Sequence, residues 1–102
     1  MPEAMSVESV REALGDLPGW SFADGALTKE LRFRGFSEAF AFLTRVAMLA
    51  EKLDHHPDFT CSYTRVSLRL SSHDAAGVTQ RDVGLARAVE ELLRAPPGGR
   101  PT

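Results

Sequence analysis

The spacing of hydrophobic residues changes several times along the chain, and each change marks an expected element. The first helical pattern follows Ser6, a suitable N-cap, and consists of Val7, Val10, Leu14 and Leu17. Between Trp20 and Phe33 the period shortens to two residues, with Asp24-Gly25 in the middle of the alternation. Because Asp-Gly between two alternating runs is a hairpin signal, this segment predicts two antiparallel strands.

The longest helical pattern lies in the middle of the chain. Ser37 can cap a helix from Glu38 to Asp54. Its apolar side holds Phe40, Leu43, Val46, Ala47, Ala50 and Leu53, and Phe42 and Leu49 widen that side to nearly half the circumference. One sheet would hardly cover so wide an arc. We therefore expect either a deeply set core helix or a helix that meets a second subunit.

The C-terminal half predicts a second hairpin and a third helix. Strands are expected over Phe59 to Tyr63 and Val66 to Ser71, with the turn at Thr64-Arg65. Thr79-Gln-Arg-Asp resembles a capping box that starts the last helix, whose buried face comprises Val83, Ala86, Val89, Leu92 and Leu93. A frayed tail is expected over residues 95–102. The order α-β-β-α-β-β-α predicts a single α+β domain over residues 1–102, with an antiparallel four-stranded sheet and three helices on one face.

Composition narrows the class of protein. The 102 residues carry a formal net charge of −2 and no cluster of Lys and Arg, so nothing favours nucleic-acid binding. The single cysteine, Cys61, cannot form an intramolecular disulfide. The start, MPEAMSVESV, lacks the features of a signal peptide, and no apolar run approaches the roughly 20 residues of a membrane span. These observations predict a cytoplasmic protein without membrane association.

All three histidines fall within one window, from Glu51 to Asp82. Pro57 disfavours the helical conformation at His56, so the preceding helix should end at about His55 and the two imidazoles should diverge. Glu51, one turn earlier, and the helix dipole should favour a protonated imidazole at His55. Because His73 follows the end of a strand and histidine titrates near neutrality, the window predicts acid/base chemistry at one site.

The spacing of this window resembles the signature of the pterin-4a-carbinolamine dehydratases. Every fixed position is filled: Glu51, three residues, His55-His56-Pro57, five residues, Tyr63, nine residues, His73, eight residues, Asp82. The surrounding SSHDAAGVTQRDVGLA is also similar to the loop and helix start that follow the third histidine in that family. The resemblance covers almost the whole chain.

The resemblance implies removal of water from 4a-hydroxytetrahydrobiopterin, a pterin carbinolamine, giving quinonoid dihydropterin in cofactor recycling. It implies that His55 and His73 act as general acid/base groups at the C4a oxygen and that His56 mainly binds the pterin. Glu51 and Asp82 would orient imidazoles or contact the substrate. Pro57 would be a further supporting or substrate-binding residue. It implies no metal or other cofactor, and a homodimer or homotetramer.

Other interpretations remain open from the residues. Asp82 can be a helix-capping carboxylate alone, and Cys61, Phe59, Tyr63 and Trp20 can be plain core residues. His55, His73 and Cys61 could form a metal-binding module, although adjacent histidines suit zinc poorly. The chain could also be a non-catalytic module, either a regulatory protein that binds a pterin as ligand or a dimerisation partner and coactivator, as animal members of the family are for a homeodomain transcription factor.

Overall fold

The computed structural model describes residues 3–94, and the tail predicted over residues 95–102 lies outside them. The elements follow the predicted order: α1 (Val7–Leu14), β1 (Ser21–Ala23), β2 (Ala26–Arg32), α2 (Phe36–Leu53), β3 (Asp58–Ser62), β4 (Arg65–Leu70) and α3 (Gln80–Arg94). The four strands form one antiparallel sheet in the order β1-β2-β4-β3. The predicted α+β class is confirmed.

Two hairpins build the sheet, and the pairing of β2 with β4 joins them. In the first hairpin, Asp24 and Gly25 both have positive φ angles, 51° and 75°, as a two-residue hairpin turn requires. In the second, the turn lies at Tyr63-Thr64, one residue before the predicted position. Tyr63 takes the positive φ angle of 56°, and the pairing of Ser62 with Arg65 closes the turn. Neither Tyr nor Thr is a usual turn residue, so composition did not locate it.

Helix α2 begins two residues before the predicted Glu38, and Ser37 does not cap it. Gly35 occupies the N-cap position without a side-chain hydrogen bond. Instead, the Glu38 carboxylate accepts a hydrogen bond from the backbone N–H of Arg34 at 2.9 Å, which satisfies a donor just before the helix. At the other end, Asp54 takes a left-handed conformation with φ 53°, so the helix ends at Leu53.

The core lies between the helices and one face of the sheet. The predicted inward residues of β4, Val66, Leu68 and Leu70, are each at most 1% exposed. They form one cluster with residues of all three helices. The buried side of α2 comprises Ala39, Phe42, Leu43, Val46 and Ala50. Phe42, expected at the margin of the apolar arc, is therefore a core residue.

The sheet covers only part of the apolar arc of α2. Phe40 is 58% exposed and Leu53 is 46% exposed, and Phe36 and Met48 are also exposed. Strand β3 lies at the edge of the sheet, where Phe59 is 56% exposed, so this side chain is not plain core. Within residues 3–94 no helix is long and apolar enough to cross a membrane.

Candidate active site

The structure brings the three histidines to one cleft of about 410 Å³. His55 and His56 lie in the connection between α2 and β3, and His73 follows β4. The residues that line the cleft are His55, His56, Pro57, Asp58, Ser71, Ser72, His73, Asp74 and Arg81. Two loops that are separate in the sequence therefore place their imidazoles at one cleft, as the spacing of the histidines predicted.

His55 is held by a buried carboxylate. Its backbone N–H donates to the carbonyl oxygen of Ala50 at 3.0 Å, just past the end of α2, and its side chain is 10% exposed. The Nε2 atom lies 2.5 Å from Oδ1 of Asp82, whose side chain is fully buried. A carboxylate can only accept a hydrogen bond, so Nε2 is the donor in this pair. Nδ1 is then the ring nitrogen that can exchange a proton with a ligand.

Asp82 also takes part in capping α3, because its carboxylate bonds back to Thr79, the residue before the helix. The predicted helix-cap role and the predicted site role therefore belong to the same side chain. Its Oδ2 atom accepts hydrogen bonds from the Thr79 backbone N–H at 2.9 Å and the Ser72 hydroxyl at 2.8 Å. Thr79 in turn accepts from the backbone N–H of Arg81 at 3.2 Å, which completes the capping box. These bonds occupy Oδ2 and leave Oδ1 as the atom that faces His55.

Glu51 contacts a different histidine from the one expected. Its Oε2 atom lies 2.6 Å from Nε2 of His56, whereas the expectation paired Glu51 with His55. The prediction was wrong because Asp54 ends the helix in a left-handed conformation, which takes His55 away from the α2 face that carries Glu51. The His56 and Glu51 side chains are 59% and 78% exposed, so this ion pair contributes little to stability.

His73 differs from the other two histidines in how it is held. It lies in a short loop that is closed by the bridge between Ser72 and Gly77, and Ala76 in that loop has a positive φ angle of 56°. The His73 side chain is exposed, and among residues 3–94 no side chain or backbone group hydrogen-bonds its imidazole. The loop backbone, rather than a carboxylate partner, therefore presents His73 at the cleft.

An ion pair that the sequence did not predict borders the cleft. Arg81 Nη2 donates to Asp74 Oδ1 at 2.6 Å. This hydrogen bond to Arg81 is the main reason that the pKa of Asp74 is lowered from its ordinary value, and it likewise raises the pKa of Arg81. Asp74 follows His73 in the sequence, and Arg81 precedes Asp82. This adjacency to two predicted site residues was the one sequence feature that could have indicated the ion pair.

Not every residue of the signature reaches the cleft. Tyr63 is in the β3–β4 turn, 71% exposed, and does not line it, and neither does the half-buried Cys61. Across the described part of the chain, no group of three or more His, Cys, Asp and Glu side chains has the geometry to hold a metal ion. The donor set that does converge, three imidazoles with two carboxylate partners, suits binding and proton transfer to a small polar molecule.

Fold and cleft thus define a class: a small α+β domain with a histidine-lined site suited to general acid/base chemistry. A family model described as pterin 4 alpha carbinolamine dehydratase matches residues 3–92. The chain belongs to this family.

Individual relatives agree with the family match. A protein of Afipia carboxidovorans named "Putative pterin-4-alpha-carbinolamine dehydratase" is 51% identical over 94 residues, which is 90% of this chain and 94% of the relative. A relative of the same name from Nitrobacter winogradskyi is 48% identical, over 92% of this chain and 95% of its own. Both alignments span nearly the whole of each chain.

Solved structures give the same fold. A transcriptional coactivator/pterin dehydratase from Brucella melitensis matches with a TM-score of 0.85 and 38% identity, over 88% of this chain and 98% of its own. A pterin dehydratase-like protein identified as a RuBisCO assembly factor in the alpha-carboxysome matches with a TM-score of 0.61 and 22% identity, over 76% and 89%. At that identity, the second likeness concerns the fold alone.

Proposed function

We propose that the protein is a 4a-hydroxytetrahydrobiopterin dehydratase that uses histidine general acid/base catalysis. The observation that carries the proposal is the convergence of His55, His56 and His73 on one cleft, in a chain that belongs to the pterin-4a-carbinolamine dehydratase family. In the reaction, the C4a–O bond breaks as the hydroxyl receives a proton and leaves as water. The proton on N5 is released, and its bonding electrons form the N5=C4a double bond of quinonoid dihydropterin.

The two proton-transfer roles fall to His55 and His73. The carboxylate of Asp82 stabilises a positive charge on the His55 ring and keeps a proton on Nε2, so the exchange with the C4a oxygen takes place at Nδ1. His73 reaches the same cleft from the other loop and, being exposed, can exchange protons with water between turnovers. A positioned histidine contributes roughly 10²- to 10⁴-fold to such a transfer.

His56 mainly binds the pterin, and it can assist the loss of the proton from N5. Its ring pairs with Glu51, and Pro57 favours an extended backbone at His56. The reaction fits a place in tetrahydrobiopterin recycling after aromatic hydroxylation, in the cytoplasm, and it requires no metal or other cofactor.

The decisive experiment is a dehydration assay on chemically generated carbinolamine. We expect the purified protein to accelerate the loss of water above the spontaneous rate. Circular dichroism of the same sample establishes that the protein is folded. A folded protein that gives no acceleration would refute the enzyme proposal. If it nevertheless bound a pterin, or associated with a partner protein, the non-catalytic module would be the better description.

We also propose that the chain forms a homodimer or homotetramer. The exposed apolar residues of α2 lie beside an apolar groove of about 180 Å³ between α2 and the edge strand β3. The groove is lined by Leu43, Val46, Ala47, Ala50, Glu51, His56, Pro57 and Phe59. Exposed apolar area of this kind is usual at subunit interfaces. His56 and Pro57 line both the groove and the cleft. A subunit interface at the groove would therefore lie next to the candidate active site.

A further inference from the structure

The hydroxyl of Ser72 lies at the centre of a buried polar cluster behind His55. Ser72 is 1% exposed and Thr79 is 7% exposed. The Ser72 Oγ atom lies 2.8 Å from Oδ2 of Asp82 and 2.8 Å from Oγ1 of Thr79. Buried polar groups at these distances are hydrogen-bonded, and each hydroxyl has only one hydrogen to donate.

Counting donors fixes the direction of every bond in this cluster. The Asp82 carboxylate can only accept, so the single hydrogen of Ser72 points to Oδ2. Ser72 must then accept the hydrogen of Thr79. Thr79 Oγ1 accepts from the Arg81 backbone N–H at 3.2 Å and from Arg81 Nε at 3.3 Å. The hydrogen bonds therefore run in one direction, from Arg81 through Thr79 and Ser72 to Asp82.

We propose that Ser72 is a positioning residue for His55 and acts through Asp82. With Oδ2 occupied by the Ser72 hydroxyl and the Thr79 backbone N–H, the carboxylate cannot rotate, and Oδ1 stays directed at Nε2 of His55. Ser72 adjoins the cleft but is almost fully buried, so its hydroxyl is committed to Asp82 rather than to a ligand. The catalytic part of this inference rests on the proposed dehydratase function. The structural part, the fixed tautomer of His55, does not.

The test uses two substitutions and a matched control in the full-length protein. Ser72→Ala removes the hydroxyl, and Ser72→Thr keeps it at the cost of one methyl group. Ser67→Ala removes a hydroxyl from β4 that lies 3.4 Å from Glu30 and does not line the cleft. For each protein, kcat and KM are measured with the carbinolamine. In parallel, ¹⁵N-edited NMR without substrate follows the ring nitrogens of His55 and the exchange of its Nε2 proton with water.

For Ser72→Ala we expect kcat to fall about 10-fold with KM within about twofold, a fraction of what a positioned histidine contributes. The Nε2 proton of His55 should exchange faster with water, and a second tautomer should appear. Ser72→Thr should restore the wild-type tautomer and most of kcat, and Ser67→Ala should change neither. A Ser72→Ala protein with the wild-type NMR signature and kcat would overturn the proposal, as would an equal fall in kcat for Ser72→Thr.

The NMR arm keeps the two proposals separate. If the wild type does not accelerate dehydration, the enzyme proposal fails, yet a tautomer change in Ser72→Ala alone would still support the positioning role. If Ser72→Ala is too unstable to study, Ser72→Cys provides the comparison, because a thiol fills the space of the hydroxyl but is only a weak hydrogen-bond donor to Asp82. An unaltered His55 tautomer and Nε2 exchange rate in Ser72→Cys would then overturn the proposal.

Discussion

Replacing Asp82 by Asn keeps the size of the side chain but removes its charge and one of its acceptor atoms. In the wild type, Asp82 accepts from three donors: His55 Nε2, the Ser72 hydroxyl and the Thr79 backbone N–H. The amide oxygen of Asn can still accept the last two. The NH₂ group would then face Nε2 of His55, and a donor cannot face a donor. We therefore expect His55 to change tautomer in Asp82→Asn, with its proton moving to Nδ1.

The cost follows from the same three bonds. Hydrogen bonds to a charged group are each worth about 1.5–3 kcal/mol, against about 0.5–1.5 kcal/mol for neutral pairs. Three such changes lose about 3 kcal/mol, and the gain from no longer burying a charge offsets part of this loss. We expect the free energy of unfolding to fall by about 2 kcal/mol, which lowers Tm by roughly 8–16 °C for a domain of this size.

The assay combines urea unfolding, kinetics and NMR on Asp82→Asn. We expect kcat to fall roughly 10²-fold, because the NH₂ group cannot accept the Nε2 proton that the His55 ring must keep while Nδ1 exchanges a proton with the substrate. Asp16→Asn, a change of the same chemistry at an exposed position outside the cleft, should alter neither stability nor kcat. A kcat within twofold of wild type, or a His55 proton still on Nε2, would refute the reasoning.

Three further predictions concern the histidines, the assembly and the rim of the cleft. His55→Ala or His73→Ala should each lower kcat roughly 10- to 10³-fold, and the double variant should lose more. His56→Ala should act mainly by raising KM. An unchanged kcat in the double variant would mean that neither imidazole transfers a proton in the rate-determining step. Sedimentation at micromolar concentration should show at least a dimer, and only an 11.1 kDa monomer would count against it. Because the hydrogen bond from Arg81 lowers the pKa of Asp74, the pair is fully present above the ordinary value of 3.8 and is lost as pH falls through the lowered value. The Tm difference between wild type and Asp74→Asn should therefore be constant near neutral pH and disappear in acid, and a difference independent of pH would contradict this assignment.

Local patterns predicted the fold well because most of its elements are specified by nearby residues. The Asp24-Gly25 turn, the alternation of β4 and the capping box at Thr79 are all decided within a few residues, and each was confirmed. The start of α2 was missed because Glu38, rather than Ser37, supplies the acceptor near that helix end. The spacing of hydrophobic residues does not show which of two neighbouring polar residues interacts with the helix start.

The sequence indicated which residues lie near the cleft, but it did not indicate which carboxylate contacts which histidine. The signature grouped the histidines, Glu51 and Asp82, yet the partner of each imidazole depended on where the backbone leaves α2. One left-handed residue, Asp54, reverses the assignment by carrying His55 toward α3 and leaving His56 near Glu51. Asp54 is a common type of residue at such a helix end, but the sequence also allowed the helix to continue through it.

Asp82 both caps α3 and holds His55, so the helix-cap role and the site role do not exclude each other. Oδ2 belongs to the capping box of α3, and Oδ1 belongs to His55, so the carboxylate performs both tasks with different atoms. The first turn of α3 therefore has to be folded for the His55 tautomer to be fixed. Any change that frays this turn, even one that touches no cleft residue, should impair His55 before it unfolds the domain.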